Sequence, residues 1–304
     1  MILGIDIGGT SLKLALVHEN GRIVTKKEAA VNFDGYQTPI LETVVKAVGE
    51  FLQETGETVA GIGVSATGQV DPSLGKVIGT NGKIPNYEGA PIKERLEQEF
   101  SVPVTVLNDA NAAALGECFV GAGVGLSDAL MVTLGTGVGG GIVLGGRIYG
   151  GARGIGGEIG HFTLYADGVS CPCGKIGCFE SYASTTALLQ LAERKTGEKM
   201  TGRILFDRVE KGDRELEAVL NHWIEDIAQG LSGLVHIFNP QAVIVGGGVS
   251  LQDKWLMAPL RKRVLELVMP RFRENLLICS ARLGNDAGVV GAAKFWLDSR
   301  LNLS

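Results

Sequence analysis

The sequence predicts an α/β protein built from two similar halves. Short apolar strands alternate with helical stretches along the 304 residues, which is the pattern of sheets covered by helices. A strand, a turn of glycine and threonine and a second strand occur near the N-terminus and again about 125 residues later, which indicates a weak internal repeat. Glycine, at 45 residues, is about twice as frequent as its usual ~7%. Tight turns, close backbone contacts and a ligand cleft between the halves are therefore expected.

The first half begins with a strand over residues 2–7, a glycine-rich turn, and strands over residues 12–17 and 22–29. A glycine-rich turn between two strands is neither a P-loop nor a dinucleotide-binding fingerprint, because both need a helix directly after the glycines. This half continues with helices over residues 37–55, 90–100 and about 110–118, strands over 59–65 and 102–107, and a hairpin over 70–78.

The second half repeats the pattern of strand, turn and strand. Its predicted elements are strands over residues 129–134, 138–144, 147–148 and 242–245, and helices from residue 181 and over 214–237, 254–267 and 287–297. Residues 129–146 carry no charge, but their clustered glycines would break a helix in lipid, so a membrane span is rejected. The predicted domains are residues 1–118 and 119–304, with the C-terminal helix packing back on the first domain.

Charge and cysteine content exclude several classes of protein. The 28 basic residues against 33 acidic ones give a net charge of −5 and a pI near 5.5, which disfavours nucleic acids and anionic membranes as partners. The N-terminal residues lack the features of a signal peptide. In a chain that is not exported, clustered cysteines indicate metal binding rather than disulfides. We therefore expect a cytoplasmic enzyme.

Three glycine-rich turns follow apolar strands. Backbone N–H groups on such turns, with threonine hydroxyls beside them, suit phosphate oxygens. Asp6, just before the first turn, could hold a hydrated Mg²⁺. Any one turn could be an ordinary hairpin, but three together favour a nucleotide. The turns are Gly8-Gly9-Thr10, Gly135-Thr136-Gly137 and Gly246-Gly247-Gly248.

Asn108 and Asp109 lie where a predicted strand passes into a helix. Asp109 could simply cap that helix. Alternatively, it is a carboxylate at the carboxyl end of a sheet strand, where α/β proteins bind ligands. There it could accept the proton of a substrate hydroxyl that attacks a phosphoryl group. The dipeptide alone leaves both interpretations open.

One histidine and three cysteines have the number and type of a closed tetrahedral Zn²⁺ site. These residues are His161, Cys171, Cys173 and Cys178. Four protein ligands leave no open position, so the ion would be structural; reduced, packed cysteines are the alternative. Glu158 and Glu180 flank this segment, either as solvated side chains or as carboxylates held rigidly enough to bind sugar hydroxyls. The second ring nitrogen of His161 could donate to a substrate hydroxyl.

These segments together resemble the ROK family of bacterial sugar kinases and sugar-responsive repressors, which belongs to the actin-like ATPase superfamily. The resemblance extends over essentially the whole chain. Residues 6–13 and 134–141 resemble the two phosphate motifs of the family, and residues 245–249 its adenosine-side turn. Residues 108–117 resemble the segment that carries the catalytic base, and residues 158–180 the highly specific family signature.

The resemblance implies a two-lobed actin-like ATPase (ribonuclease H-like) fold with an interlobe cleft. It implies an ATP- and Mg²⁺-dependent kinase acting on the 6-hydroxyl of an aldohexose, with glucose as the first candidate and N-acetylmannosamine as the alternative. A structural Zn²⁺ and a homodimer are also implied. Asp109 would be the catalytic base. The sugar contacts would be Gly68, Asn81, Asn108, Asp109, Glu158, His161 and Glu180, and the ATP contacts Asp6, Gly9, Thr10, Lys13, Thr136, Gly137 and Gly247.

Two rival functions and three departures complete the sequence-based expectations. The family's repressors carry a DNA-binding segment before the first phosphate motif, whereas Asp6 is the sixth residue here, so an enzyme is expected. An inactive sugar-binding module conflicts with the intact Asp109 and phosphate turns. Thr67, Leu107 and Tyr87 replace a proline, an acidic residue and a tryptophan that are common in the family, which weakens any choice of sugar.

Overall fold

The computed structural model describes residues 1–31, 34–80, 82 and 84–301. Asn81, a predicted sugar contact, lies outside the described residues. The chain divides into two compact units. Unit 1 comprises Met1–Gly125, Gly141–Gly157 and Leu283–Ser304, and unit 2 comprises Leu126–Gly140 and Glu158–Arg282. Each unit is assembled from separate segments, whereas the predicted domains are continuous; the predicted boundary between residues 118 and 119 stays a prediction.

The elements follow one another along the chain as alternating groups of strands and helices. The strands are β1 (Ile2–Ile7), β2 (Ser11–Val17), β3 (Ile23–Ala30), β4 (Ile62–Ala66), β5 (Gln69–Asp71), β6 (Lys76–Gly79), β7 (Val104–Asn108), β8 (Ala129–Leu134), β9 (Val138–Leu144), β10 (Arg147–Ile148), β11 (Ala242–Gly246) and β12 (Leu277–Ser280). The helices are α1 (Ile40–Thr55), α2 (Ile92–Phe100), α3 (Asp109–Val120), α4 (Glu180–Ala183), α5 (Thr185–Thr196), α6 (Gly202–Glu210), α7 (Arg214–Phe238), α8 (Ala258–Leu267) and α9 (Ala287–Leu301).

Unit 1 is organised around a five-stranded sheet with strand order β3-β2-β1-β4-β7. β1, β2 and β3 are antiparallel, whereas β4 and β7 run parallel to β1. The inner strands are nearly continuous apolar runs because both faces of the sheet are covered. Residues of α1 and α2 pack in the core on one face, and residues of α9 pack in a second core with Ile2, Ala15 and Val17. The parallel strands bring the ends of β1, β4 and β7 to one edge.

The second sheet has the strand order β10-β9-β8-β11-β12, and its strands β8, β11 and β12 lie in unit 2. β8, β11 and β12 are parallel, so the turns that follow β8 and β11 lie at the same edge. The long helix α7 is capped at its N-terminus by Asp213, whose side chain accepts from the Leu216 N–H. Its C-terminal cap is Asn239, which has the left-handed conformation. α5 and α6 pack against α7.

Most predicted elements are present, with shifts of a few residues at their ends. α1 begins at Ile40 because Pro39 precedes it, and a π-helical turn over Asp253–Met257 precedes α8. β12 was not predicted, and the helices expected from residue 181 had no predicted ends. The uncharged residues 129–146 form β8, β9 and the turn that follows. Within the described part of the chain, no helix combines the length and apolar character needed to span a membrane.

Candidate active site

Asn108 and Asp109 form the junction between β7 and α3. The Asn108 backbone is extended, and its side-chain oxygen accepts from the N–H groups of Ala110 and Asn111. Asn108 is therefore the helix cap, and the interpretation of Asp109 as the cap is wrong. The Asn108 amide also donates to the Gly68 carbonyl and to the Asp109 carboxylate, each at 2.9 Å. This pair of bonds fixes Asp109 in the first turn of α3 and places Gly68 beside it.

The surroundings of Asp109 adjust its proton affinity. Its pKa is raised to about 6, mainly because burial disfavours the charged form; the negative charge of Asp6 acts in the same direction. Hydrogen bonds from the Ala110 N–H and from the side chains of Thr67 and Asn108 oppose this shift. A carboxylate with a pKa near 6 is ionised at neutral pH yet basic enough to accept a hydroxyl proton in a transition state. Asp109 thus has the properties of a general base.

Asp6 lies at the end of β1 and is held from two sides. The Ser65 hydroxyl donates to one carboxylate oxygen at 2.6 Å, and the Lys13 ammonium lies 3.3 Å from the other. The turn that follows exposes Thr10, and the Gly9 carbonyl accepts from the Tyr36 hydroxyl. A positioned carboxylate, an ammonium group and a glycine turn at one sheet edge could hold a hydrated cation and phosphate oxygens.

The turn between β8 and β9 is tied to Glu180 of α4. The Val138 N–H donates to the Glu180 carboxylate at 2.9 Å. Gly137 has no room for a side chain, because a Cβ there would overlap the same carboxylate. Thr136 is exposed, and its carbonyl accepts from the Thr186 hydroxyl at 2.8 Å. The second predicted phosphate turn and one predicted sugar contact therefore belong to one hydrogen-bonded structure.

A cavity of about 600 Å³ opens beside this turn, entirely within unit 2. One end is formed by the turns at Gly135-Thr136 and Gly248. The remaining wall combines apolar and aromatic side chains with charged and polar ones, among them Arg203, Asp207, Glu210 and Gln252. Gly247 has a positive φ of 93°, and a Cβ there would overlap the Leu134 carbonyl. Glycine at this position therefore lets β11 turn tightly against the end of β8 and shapes the cavity.

The predicted metal ligands of unit 2 lie together. The donor atoms of all four residues are within 4.8 Å of one another. The Cys173 and Cys178 sulfurs are 3.6 Å apart, and the Cys171 sulfur is 3.7 Å from Nδ1 of His161. Zn–S bonds of about 2.3 Å at tetrahedral angles would separate two sulfurs by about 3.8 Å, so the donor set fits a tetrahedral Zn²⁺.

Left-handed glycines shape the loop that carries the cysteines. Gly174, with φ of 88°, closes a turn in which its N–H donates to the Cys171 carbonyl. Gly177 touches the Tyr165 carbonyl, where no Cβ would fit. The Nδ1 atom of His161 faces Cys171, so Nε2 is the ring nitrogen left for another contact.

Glu158 and His161 bracket a single 3₁₀ turn that packs on the start of β9. The His161 N–H donates to the Glu158 carbonyl at 3.0 Å, and a Cβ on Gly160 would overlap the Val138 carbonyl. Val138 is also the residue whose N–H reaches Glu180. Unit 2 therefore gathers Glu158, His161 and Glu180 around one strand end.

The departures from the family pattern lie close to Asp109. Thr67 hydrogen-bonds to it, and Leu107 is buried in β7. Tyr87 is also buried, and its pKa is raised by burial and by the charges of Asp109 and Asp6. Among the described residues, the Tyr87 hydroxyl has no hydrogen-bond partner. Three residues of the cavity wall were missed in the sequence because they belong to no glycine turn: Phe206, Glu210 and Trp255.

Comparison with known proteins identifies the family. The model of the ROK family matches residues 2–299. A glucokinase of Thermotoga maritima is 34% identical over 308 residues, covering 96% of each chain. The solved ROK family glucokinase of Streptomyces griseus, in complex with glucose and AMPPNP, is 33% identical with a TM-score of 0.80, covering 97% of this chain and 98% of that one. The ROK hexokinase of Thermus thermophilus is 33% identical with a TM-score of 0.85, covering 98% and 99%. The predicted actin-like ATPase fold is thereby confirmed, and the chain is a member of the ROK family.

Proposed function

We propose that this protein is an ATP-dependent hexose kinase that transfers the γ-phosphoryl group of ATP to the 6-hydroxyl of an aldohexose, glucose foremost. The observation that carries the proposal is Asp109: a carboxylate at the carboxyl end of a sheet strand, fixed by Asn108 and with its pKa raised to about 6. The relatives that are named glucokinase, one solved with glucose and AMPPNP, support the same reaction.

Asp109 accepts the proton of the sugar 6-hydroxyl as the hydroxyl oxygen attacks the γ-phosphorus. The bond between that phosphorus and the oxygen bridging to the β-phosphorus breaks, and ADP leaves. Phosphoryl transfer otherwise needs positioning and charge neutralisation. In unit 1, Asp6 would hold a hydrated Mg²⁺, which supplies positive charge to the phosphates, and Gly9, Thr10 and Lys13 would add donors. In unit 2, the donors are Thr136, Gly137 and Gly247.

The sugar contacts are proposed from both units. Gly68, Asn108 and Asp109 of unit 1 are joined by the Asn108 amide. In unit 2 the proposed contacts are Glu158, His161 and Glu180. Glu180 accepts from the Val138 N–H at the start of β9, and Gly160, between Glu158 and His161, packs on the same residue. Carboxylates accept from sugar hydroxyls, and Nε2 of His161 donates to one. Asn81 stays a prediction, as do the homodimer and the cytoplasmic location.

A structural Zn²⁺ held by the histidine and the three cysteines completes the proposal. The ion would tie the 3₁₀ turn with Glu158 to the segment that leads into Glu180. Because all four coordination positions come from the protein, it takes no part in the chemistry. Its effect is to keep two sugar-binding carboxylates in place.

The test is ADP release in the presence of ATP and each of five sugars: glucose, mannose, fructose, N-acetylglucosamine and N-acetylmannosamine. Asp109→Asn serves as the blank. A kcat/KM for glucose at least about tenfold above the others supports a glucokinase, since tenfold corresponds to about 1.4 kcal/mol of transition-state discrimination. A preference for N-acetylmannosamine would make that sugar, rather than glucose, the substrate. Sugar binding without any ADP release would refute the kinase in favour of a repressor or an inactive binding module.

A further inference from the structure

The wall of the unit 2 cavity contains a tryptophan that belongs to none of the family motifs. Trp255 lies in the π-helical turn before α8 and lines the cavity together with Leu189 and Phe206. Hydroxyl groups lie at and beside the glycine turns, from Thr136 and from Thr185 and Thr186 of α5. Arg203, Asp207 and Gln252 add polar side chains elsewhere on the wall. The cavity thus has a polar end suited to phosphates and a flat, aromatic side suited to a planar ring.

Trp255 is held in place by an ion pair. Its indole N–H donates to the carboxylate of Glu210, the last residue of α6. The Lys254 ammonium donates to both oxygens of the same carboxylate, at 2.8 and 2.9 Å, and also lies 4.5 Å from the centre of the Trp255 ring. Glu210 and Trp255 are on different elements and both line the cavity. Glu210 and Lys254 therefore restrict the rotation of the indole.

Fold stability does not explain this arrangement. The side chains of Lys254 and Glu210 are 65% and 56% exposed, and exposed ion pairs contribute little to stability because water and salt screen them. A bond to the indole N–H and a cation over the ring instead fix the plane of an aromatic surface. Fixing that plane before binding reduces the ordering cost when a planar ligand stacks on it.

We infer that Trp255, oriented by Glu210 and Lys254, is the surface on which the base of the phosphoryl donor stacks, and that it selects a nucleoside triphosphate over inorganic polyphosphate. The inference rests on the proposed function for the identity of the donor. Glu210 and Lys254 act through Trp255 and are positioning residues. Polyphosphate has no base, so it gains nothing from this surface.

Tryptophan fluorescence tests the inference without turnover. The other two tryptophans, Trp223 and Trp296, are buried, so acrylamide mainly quenches Trp255. AMPPNP should protect Trp255 from acrylamide, whereas inorganic tripolyphosphate should not. Trp255→Phe should abolish the change in quenching. If calorimetry shows that AMPPNP binds but Trp255 is not protected from acrylamide, the inference is overturned. If AMPPNP protects Trp255 but no sugar is phosphorylated, the proposed function is refuted and the inference stands.

Kinetics then separate stacking from catalysis. Trp255→Ala should raise KM for ATP by about tenfold, the scale of one base–aromatic stack, with KM for the sugar unchanged. Glu210→Ala should raise KM for ATP severalfold, leave kcat within about twofold, and increase acrylamide quenching in the absence of nucleotide. Glu54→Ala is the matched control, since Glu54 is 57% exposed and also paired with a lysine. An unchanged KM for ATP in Trp255→Ala would overturn the inference.

Discussion

Asp109→Asn is expected to stabilise the protein while it removes most of the turnover. The carboxylate is buried near the charge of Asp6, and its pKa is raised from 3.8 to about 6. One pKa unit corresponds to about 1.36 kcal/mol, so the ionised carboxylate costs up to about 3 kcal/mol at pH 7. Asparagine removes that charge and keeps a side-chain oxygen for the Ala110 N–H, which donates to Asp109 at 2.8 Å.

The sign of the pH dependence follows from proton binding. Because the folded-state pKa of Asp109 lies above its unfolded value, the native state binds more protons than the unfolded state between pH 3.8 and about 6. The contribution of Asp109 to the free energy of unfolding therefore falls as pH rises through this window and is constant above it. The advantage of Asp109→Asn should be small near pH 4 and complete by pH 7.

Thermal unfolding followed by circular dichroism at pH 4, 5.5 and 7 measures the effect. A gain of 1 kcal/mol raises Tm by roughly 1.5–2 °C in a chain of 304 residues. Asp71→Asn is the control of opposite sign, because a hydrogen bond from the Ser73 hydroxyl lowers the pKa of Asp71, so its ionised form stabilises the folded state. An Asp109→Asn protein no more stable than wild type at pH 7, or a difference independent of pH, would refute the reasoning.

The same variant tests the catalytic role. Loss of a general base should lower kcat by on the order of 10²-fold or more while sugar binding is retained. In the wild type, kcat/KM for the sugar should rise with pH through an apparent pKa near 6, because the ionised carboxylate is the active form. Near-wild-type turnover of Asp109→Asn would remove Asp109 from this role.

Three further predictions concern the metal, the core and the turn of unit 2. Metal analysis should find about one Zn²⁺ per chain, and Cys173→Ser, at the exposed cysteine, should lower that content; well under one ion in the wild type would contradict the site. In urea unfolding, Gly291→Ala should cost more than about 2 kcal/mol, because its Cβ would overlap a backbone carbonyl of α3. Gly49→Ala, in open space within α1, should instead stabilise by about 0.5–1 kcal/mol. Glu180→Ala should raise KM for both the sugar and ATP, because the Val138 N–H loses its acceptor. Glu180→Gln keeps an acceptor and should restore KM for ATP. Equal effects of the two variants on KM for ATP would contradict this link.

Local chemistry made much of the fold predictable. The strands on both sides of the turns at residues 8–10 and 135–137 were predicted within a residue or two, since alternation and turn residues act over short distances. The cluster of metal ligands was predictable for the same reason: three of the four ligands lie within residues 171–178, where Gly174 and Gly177 take left-handed conformations. The structure places these four residues together.

Residues that act through distant contacts were not predictable. Trp255 and Glu210 meet only in the folded unit, because Glu210 ends α6 and Trp255 lies in the turn before α8. The role of Asn108 as the cap of α3 could also be assigned only from the structure. Asn and Asp are equally good helix caps, and only the extended backbone of Asn108 and its bonds to Ala110 and Asn111 assign the cap. In the sequence only Asp109 was considered as the cap, although an asparagine at residue 108 suits that position equally well.

The glycine excess has a second cause besides turns. Many glycines lie where backbones touch: a Cβ on Gly63 of β4 would overlap the Ala292 carbonyl of α9, and one on Gly291 of α9 would overlap a carbonyl of α3. α9 therefore lies against the backbone of β4 on one side and of α3 on another. In its first turn, a Cβ on Gly288 would lie 2.8 Å from the Asp6 carboxylate. Any larger residue there would displace the carboxylate that Ser65 holds, so a helix without a motif sets the position of Asp6.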